Sequence, residues 1–267
     1  MNNRIEEKFK FLKSQKKKAF IAYITVGDPS LKVTQDLVLA LERVGVDIVE
    51  LGIPFSDPLA DGPTIQAASQ RALKNRVTLK KIFETVKAIR KQSQIPLGLM
   101  TYYNPVFHYG QERFLKDAQA VGVDAMIVPD LPVEEAKEYC LEAKKRNLST
   151  VFFVAPTTVN ERIPGIVRAS TGFIYYVSLT GVTGARKKIP SDVKNHIRAV
   201  KKLTGKPICV GFGISNQEQI RKIAPVADGV IIGSAIIQEI QKNAGKKDLV
   251  KNVSGFVSGL VNALKEI

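Results

Sequence analysis

Val44-Gly45-Val46-Asp47-Ile48-Val49-Glu50-Leu51-Gly52-Ile53-Pro54, VGVDIVELGIP, returns 77 positions later as VGVDAMIVPDLP at residues 121–132. A weaker copy, Ala227-Asp228-Gly229 before VIIGS, lies near the C-terminal end. In each copy a glycine suited to end a helix runs directly into a short apolar strand. The echo therefore marks a repeated helix-to-strand junction.

Working outward, eight β-rich runs begin near Phe20, Asp47, Leu97, Ala125, Thr150, Phe173, Pro207 and Gly229, with helix-period segments or loops between them. Strand and helix alternating at roughly 30 residues per unit imply right-handed βαβ crossovers and a parallel sheet. Eight units close such a sheet, so the expected fold class is α/β: a single-domain (β/α)8 TIM barrel over residues 1–267. A doubly wound open sheet would have fewer strands and a dinucleotide fingerprint, which the sequence lacks. Ile5, Phe9 and Leu12 form the stripe of an extra N-terminal helix able to cap the barrel floor, and residues 249–264 give the last helix its packing face. The intervals after the second and sixth strands are long, and their surplus is assigned to loops on the C-terminal face, where barrel active sites lie.

Composition bounds the function only loosely. The 267 residues are 45% hydrophobic and 24% charged, with no apolar run long enough to span a membrane and no signal-peptide pattern at the N-terminus. The net charge of +15 comes from dispersed lysines, and Lys16-Lys17-Lys18 lacks interleaved aromatics, so neither nucleic acid nor membrane is expected as a partner. Cys140 and Cys209 lack metal-ligand spacing and read as buried free thiols of a reducing compartment. His108 and His196 have no partner spacing for a metal or a nucleophile triad. No metal is expected.

Chemistry concentrates at strand ends. In the second strand Val49 and Leu51 alternate with Ile48 and Glu50; with the apolar pair against the helices, Glu50 points into the barrel. Burial there raises its pKa toward neutrality and suits it to shuttle protons, unless a cation inside the barrel pairs with it. Asp57 and Asp61 follow on a loop stiffened by Pro54, Pro58 and Pro63, and residue chemistry alone does not choose between them. Gly211 to Ser215 and Ile232 to Ala235 are glycine-rich turns after strands seven and eight, the recurrent phosphate site of this fold. The segment Ser178 to Arg186 reads equally as a lid or a plain exposed loop. Tyr23, Met100, Tyr102 and Phe212 fit either a ligand pocket or ordinary barrel filling.

ELGIPFSDPLADGPTIQ at Glu50–Gln66, with LTGVTGAR from Leu179 and GFGIS…IIGSA from Gly211 to Ala235, closely resembles the tryptophan synthase alpha family. The resemblance extends from Gly27-Asp28-Pro29 through the last strand. It implies retro-aldol cleavage of indole-3-glycerol phosphate to indole and glyceraldehyde 3-phosphate. It also implies that Glu50 and Asp61 are catalytic with Tyr175 beside them, and that Tyr23, Met100, Tyr102, Phe212 and Thr183 contact substrate. The phosphate would be held around Gly184, Gly213, Gly233 and Ser234. The chain would need no cofactor of its own; its partner in an α2β2 complex would be a β subunit holding pyridoxal phosphate. Loops from Ile53 to Thr78 and from Leu179 to Ile189 would couple to that partner. The expected location is the cytoplasm, or the plastid stroma for a plastid-encoded chain.

A phosphosugar isomerase or indole-glycerol-phosphate synthase would share the fold, but such a synthase is expected to carry a catalytic Lys at a strand end, and none of the eight runs ends in Lys. A non-catalytic barrel would have no reason to keep Glu50, Asp61 and the phosphate turns together.

Overall fold

The structure is a computed structural model, which describes residues 3–177, 191–211 and 213–267. Its strands are β1 (Ala19–Thr25), β2 (Ile48–Gly52), β3 (Leu97–Met100), β4 (Ala125–Ile127), β5 (Ser149–Val154), β6 (Ile174–Val177), β7 (Ile208–Gly211) and β8 (Gly229–Ile232). All neighbours pair in parallel, and β8 returns to β1, closing the barrel. Each strand begins within one residue of the position expected from sequence.

Around the barrel lie α1 (Arg4–Ser14), α2 (Leu31–Arg43), α3 (Pro63–Lys74), α4 (Leu79–Arg90), α5 (Tyr103–Tyr109), α6 (Gln111–Ala120) and α7 (Lys137–Lys145). They are followed by α8 (Ile163–Ala169), α9 (Ser191–Lys202), α10 (Gln217–Ile223), α11 (Ser234–Asn243) and α12 (Leu249–Lys265). One expectation needs correction. The surplus between β2 and β3 is not loop alone: after the loop of residues 53–62 it holds a full helix, α3, entered through Gly62 with Pro63 at its first position. The surplus after β6 lies outside the described residues.

The VGVD echo has a physical meaning at the barrel floor. Gly45 and Gly122 both take φ of +92°, ending α2 and α6 in the left-handed conformation that glycine adopts without strain. The aspartate two residues later clamps the preceding strand. The Phe20 N–H donates to Asp47 Oδ2 at 2.9 Å while the Asp47 N–H donates back to the Phe20 carbonyl at 2.9 Å. The Leu97 N–H and Asp124 Oδ2 do the same at 2.8 Å, as do the Ile208 N–H and Asp228 Oδ2 at 3.0 Å. At the foot of β6 the hydroxyl of Thr171 substitutes, accepting from the Thr150 N–H at 2.8 Å. Even-numbered strands are thus pinned to their odd-numbered neighbours by one repeated side-chain bond, which fixes register.

Helix α1 closes this floor as expected. Ile5, Phe9 and Leu12 are buried, Phe9 meets the Phe173 ring at 5.8 Å, and Asn3 Nδ2 donates to the carbonyls of Asp124 and Asn147. Arg4 and Arg90 reach the Asp124 carboxylate at 2.8 and 2.7 Å. Burial pushes Asp124 upward and Arg90 down to about 10, so desolvation outweighs attraction in both partners. Such a pair costs little while intact but leaves an uncompensated charge when halved. Asp124→Ala is expected to lower unfolding free energy by roughly 3–5 kcal/mol, read from urea midpoints; a loss below about 1 kcal/mol would show that the floor does not depend on it.

Candidate active site

The barrel interior carries an unusual filling for this fold. Glu50 pairs in register with Tyr23 on one side and Gly98 on the other. A Cβ at Gly98 would sit 3.9 Å from Glu50 Cγ, so the Glu50 side chain lies over the interior face of β3, as strand alternation required. Glycine makes room elsewhere too. A Cβ at Gly52 would come within 2.1 Å of the Tyr23 hydroxyl, and one at Gly211 within 2.6 Å of the Tyr175 hydroxyl. Tyr23 and Tyr175 therefore occupy volume that these glycines leave open, and the Phe153 ring stacks 4.8 Å from Tyr175.

Glu50 is 0% exposed, and among the described residues neither carboxylate oxygen has a hydrogen-bond partner. The alternative of an internal salt bridge finds no partner cation among the described ion pairs. Burial alone pushes the Glu50 carboxyl up to about 8, so it carries its proton at neutral pH.

Asp61 lies on the loop between β2 and α3. It is 8% exposed, whereas Asp57 is exposed and takes the Ser56 hydroxyl. The two aspartates that the sequence left equivalent thus differ sharply in environment. Burial raises Asp61, and the polar Tyr102 hydroxyl near it pulls it partly back, to about 6. Tyr23 and Tyr175 are both buried and held firmly protonated, first by desolvation and then by the nearby charges of Asp61 and Glu50. Both phenols therefore lie within electrostatic reach of both carboxyls. Met100 ends β3 and Tyr102 follows it, both nearly buried.

At the same end, against Tyr23, Gly233 is the N-cap of α11 and Ser234 its first residue. The cap offers no side-chain acceptor and the first turn holds no acidic residue, so the helix start presents N–H groups and a positive dipole end to an anion. Gly213 follows β7 with φ of +86°. Thr183, Gly184, Phe212, the stretch Ser178 to Arg186 and the loop from Leu179 to Ile189 lie outside the described residues.

Residues set aside at the sequence level take structural places. His196 Nδ1 lies 2.8 Å from the Tyr176 hydroxyl outside the barrel, and His108 is exposed. Cys209 is buried in β7, but Cys140 is only half-buried on α7, short of the full burial expected; both are free. No group of three or more His, Cys, Asp or Glu able to hold a metal occurs among the described residues. Nor is any helix there long and apolar enough to cross a membrane. Sequence reasoning missed the anchoring of α3. Asp28 of the Gly27-Asp28-Pro29 turn is 2% exposed and receives both Nε and Nη2 of Arg71 at 2.9 and 2.8 Å. A buried-compatible Asp beside a turn Pro was the available signal, and its partner 43 positions away was not legible.

The family model described as tryptophan synthase alpha chain matches residues 9–265. The chain belongs to the tryptophan synthase alpha chain family. A tryptophan synthase alpha chain from Thermoanaerobacter sp. (strain X514) is 48% identical over 262 residues, covering 98% of this chain and all of the relative. One from Caldanaerobacter subterraneus subsp. tengcongensis is 49% identical over the same length. Among solved structures, tryptophan synthase subunit alpha from Legionella pneumophila superposes with a TM-score of 0.92 at 35% identity, covering both chains fully. A chain of the tryptophan synthase α2β2 complex of Pyrococcus furiosus gives 0.86 at 41% identity, covering 92% of this chain and 99% of its own. The barrel and its N-terminal helix are those of the family.

Glu50 also makes a prediction about stability. Its folded pKa stands above its unfolded value, so its protonated burial favours the folded state below about pH 4.5, and this contribution is lost as pH rises through about 8. Glu50→Gln keeps the shape and removes the titration. The variant is expected to gain thermal stability over the unmodified chain between pH 7 and 9 and to gain little at pH 4; an equal gain at all pH values would contradict the assigned burial.

Proposed function

We propose that the chain cleaves indole-3-glycerol phosphate to indole and D-glyceraldehyde 3-phosphate, with Glu50 moving the protons and Asp61 holding the indole nitrogen. The observation that carries the assignment is the split between the two carboxyls, about 8 for Glu50 and about 6 for Asp61. At neutral pH one is an acid and the other an anion.

The chemistry uses both states. The Glu50 carboxyl gives its proton to indole C3, and the ring π electrons that take it leave positive charge at the indole nitrogen. Ionised Asp61 accepts the indole N–H and stabilises that charge as it develops. The bond from C3 to the side chain then breaks, its electron pair restoring the aromatic ring. The adjacent hydroxyl passes its proton to the Glu50 carboxylate and becomes the aldehyde. Glu50 ends protonated, ready for another turn.

The remaining residues bind and orient. Gly213, Gly233 and Ser234, with Gly184, hold the phosphate through backbone N–H groups, supplying binding energy remote from the reacting bond. Tyr23, Met100, Tyr102 and Phe212 wall the indole, Thr183 completes the substrate contacts, and the Tyr175 hydroxyl lies beside the reacting bond. The chain needs no cofactor for these steps. In an α2β2 complex of the kind named for the Pyrococcus protein, a β subunit holding pyridoxal phosphate receives the indole. The cytoplasm is the compartment that suits two free cysteines and a metabolic lyase.

Two measurements test the reading. Indole release from indole-3-glycerol phosphate is expected to be slow for the chain alone and faster with a β subunit; no indole in either case would remove the assignment. The pH profile of kcat/KM should be bell-shaped, rising as Asp61 loses its proton near 6 and falling as Glu50 loses its own near 8. Glu50→Gln should abolish turnover with substrate affinity largely retained, and a fully active variant would sink the proton-transfer role.

A further inference from the structure

The loop between β2 and α3 is exposed over Ser56 and Asp57, and Leu59 stands 88% open to solvent, yet Asp61 a few residues on is buried. Holding one side chain of an exposed loop in a fixed place requires contacts from outside the loop. Within the loop the backbone turns on itself through the Leu59 N–H to the Asp57 carbonyl and the Asp61 N–H to the Pro58 carbonyl. These bonds shape the loop but do not attach it to the barrel.

Tyr102 attaches it. This residue follows β3 and is 5% exposed. Its hydroxyl accepts the Ala60 N–H at 2.9 Å, across 42 positions of sequence, and lies close enough to the Asp61 carboxylate to lower its pKa. Its ring meets Phe55, at the other end of the loop, with centroids 5.4 Å apart. A single side chain thus touches the loop at its start and at the residue before Asp61, beside the carboxylate itself. From the α3 side, Gln66 Nε2 holds the Asp61 carbonyl at 2.9 Å.

We propose that Tyr102 is a positioning residue, its hydroxyl latching the loop that presents Asp61, and that turnover depends on this latch beyond any contact the Tyr102 ring makes with indole. The proposal rests on the reading of Asp61 as the anion that holds the indole nitrogen. A hydroxyl bonded to the loop backbone at Ala60, with the carboxylate of the next residue beside it, fixes the position of Asp61 and favours its ionised form. A ring that served only as a pocket wall would work equally well without the oxygen.

Tyr102→Phe separates the two roles, because it keeps the ring and removes the oxygen. In the substrate-free chain, amide exchange at Ala60 is expected to quicken by about tenfold or more, with circular dichroism unchanged. With a β subunit present, kcat should fall by about 10- to 100-fold while KM changes far less, and the acid limb of the pH profile should move to higher pH. Unchanged exchange at Ala60 would overturn the latch. Faster exchange with kcat and the acid limb unchanged would overturn the dependence of turnover on it, as would a rise in KM alone. Failure of the unmodified chain to release indole would instead count against the proposed reaction, leaving the exchange result to judge the latch separately.

Discussion

A carboxyl group sits inside a closed parallel barrel where branched aliphatic side chains ordinarily fill the space, and among the described residues its oxygens have neither an ion-pair nor a hydrogen-bond partner. An ionised carboxylate in such a place costs several kcal/mol, so the group keeps its proton up to about pH 8. Much of the surrounding structure follows from accommodating that one side chain. Gly98 opposite it, and Gly52 and Gly211 beneath the Tyr23 and Tyr175 hydroxyls, leave interior volume that larger residues would fill. The floor clamps matter for the same reason. A slip of one residue in β2 would turn Glu50 out toward the helices and bring Val49 or Leu51 inward, and the mutual bonds between Asp47 and Phe20 hold the register against it.

The second carboxyl shows how placement separates two chemically similar groups. Glu50 is fixed by a strand and its oxygens have no hydrogen-bond partner among the described residues; Asp61 is fixed by a loop and has the Tyr102 hydroxyl near it. The same burial that raises both acts on the second against that polar neighbour, and the pair divides around neutrality. Environments that push two carboxyls apart give one fold an acid and an anion at the same pH. The proposed reaction needs that combination, since protonating indole C3 and stabilising the resulting charge are opposite demands on two groups in one cavity.

Much of this was legible in the sequence because it is local. The starts of β2 and β4 are marked by a glycine that ends a helix and an aspartate two residues on, and strand alternation alone turns Glu50 inward. The family motif, rather than local chemistry, separated Asp61 from Asp57. What could not be read was tertiary. The bond from Tyr102 to Ala60 spans 42 positions, and the pair of Asp28 and Arg71 spans 43. Neither leaves a periodic trace. Helix α3 was hidden for another reason: its Gly62-Pro63 start falls inside a proline-rich loop and reads as loop continuation, although proline suits the first position of a helix.

At neutral pH Glu50 is protonated and Asp61 ionised. Carboxyl carbon resonances of the two residues, assigned by comparison with Glu50→Gln and Asp61→Asn and followed by NMR from pH 4 to 10, test it directly. The Glu50 resonance is expected to titrate near 8 and that of Asp61 near 6. Two titrations in the ordinary carboxylate range around 4 would contradict it.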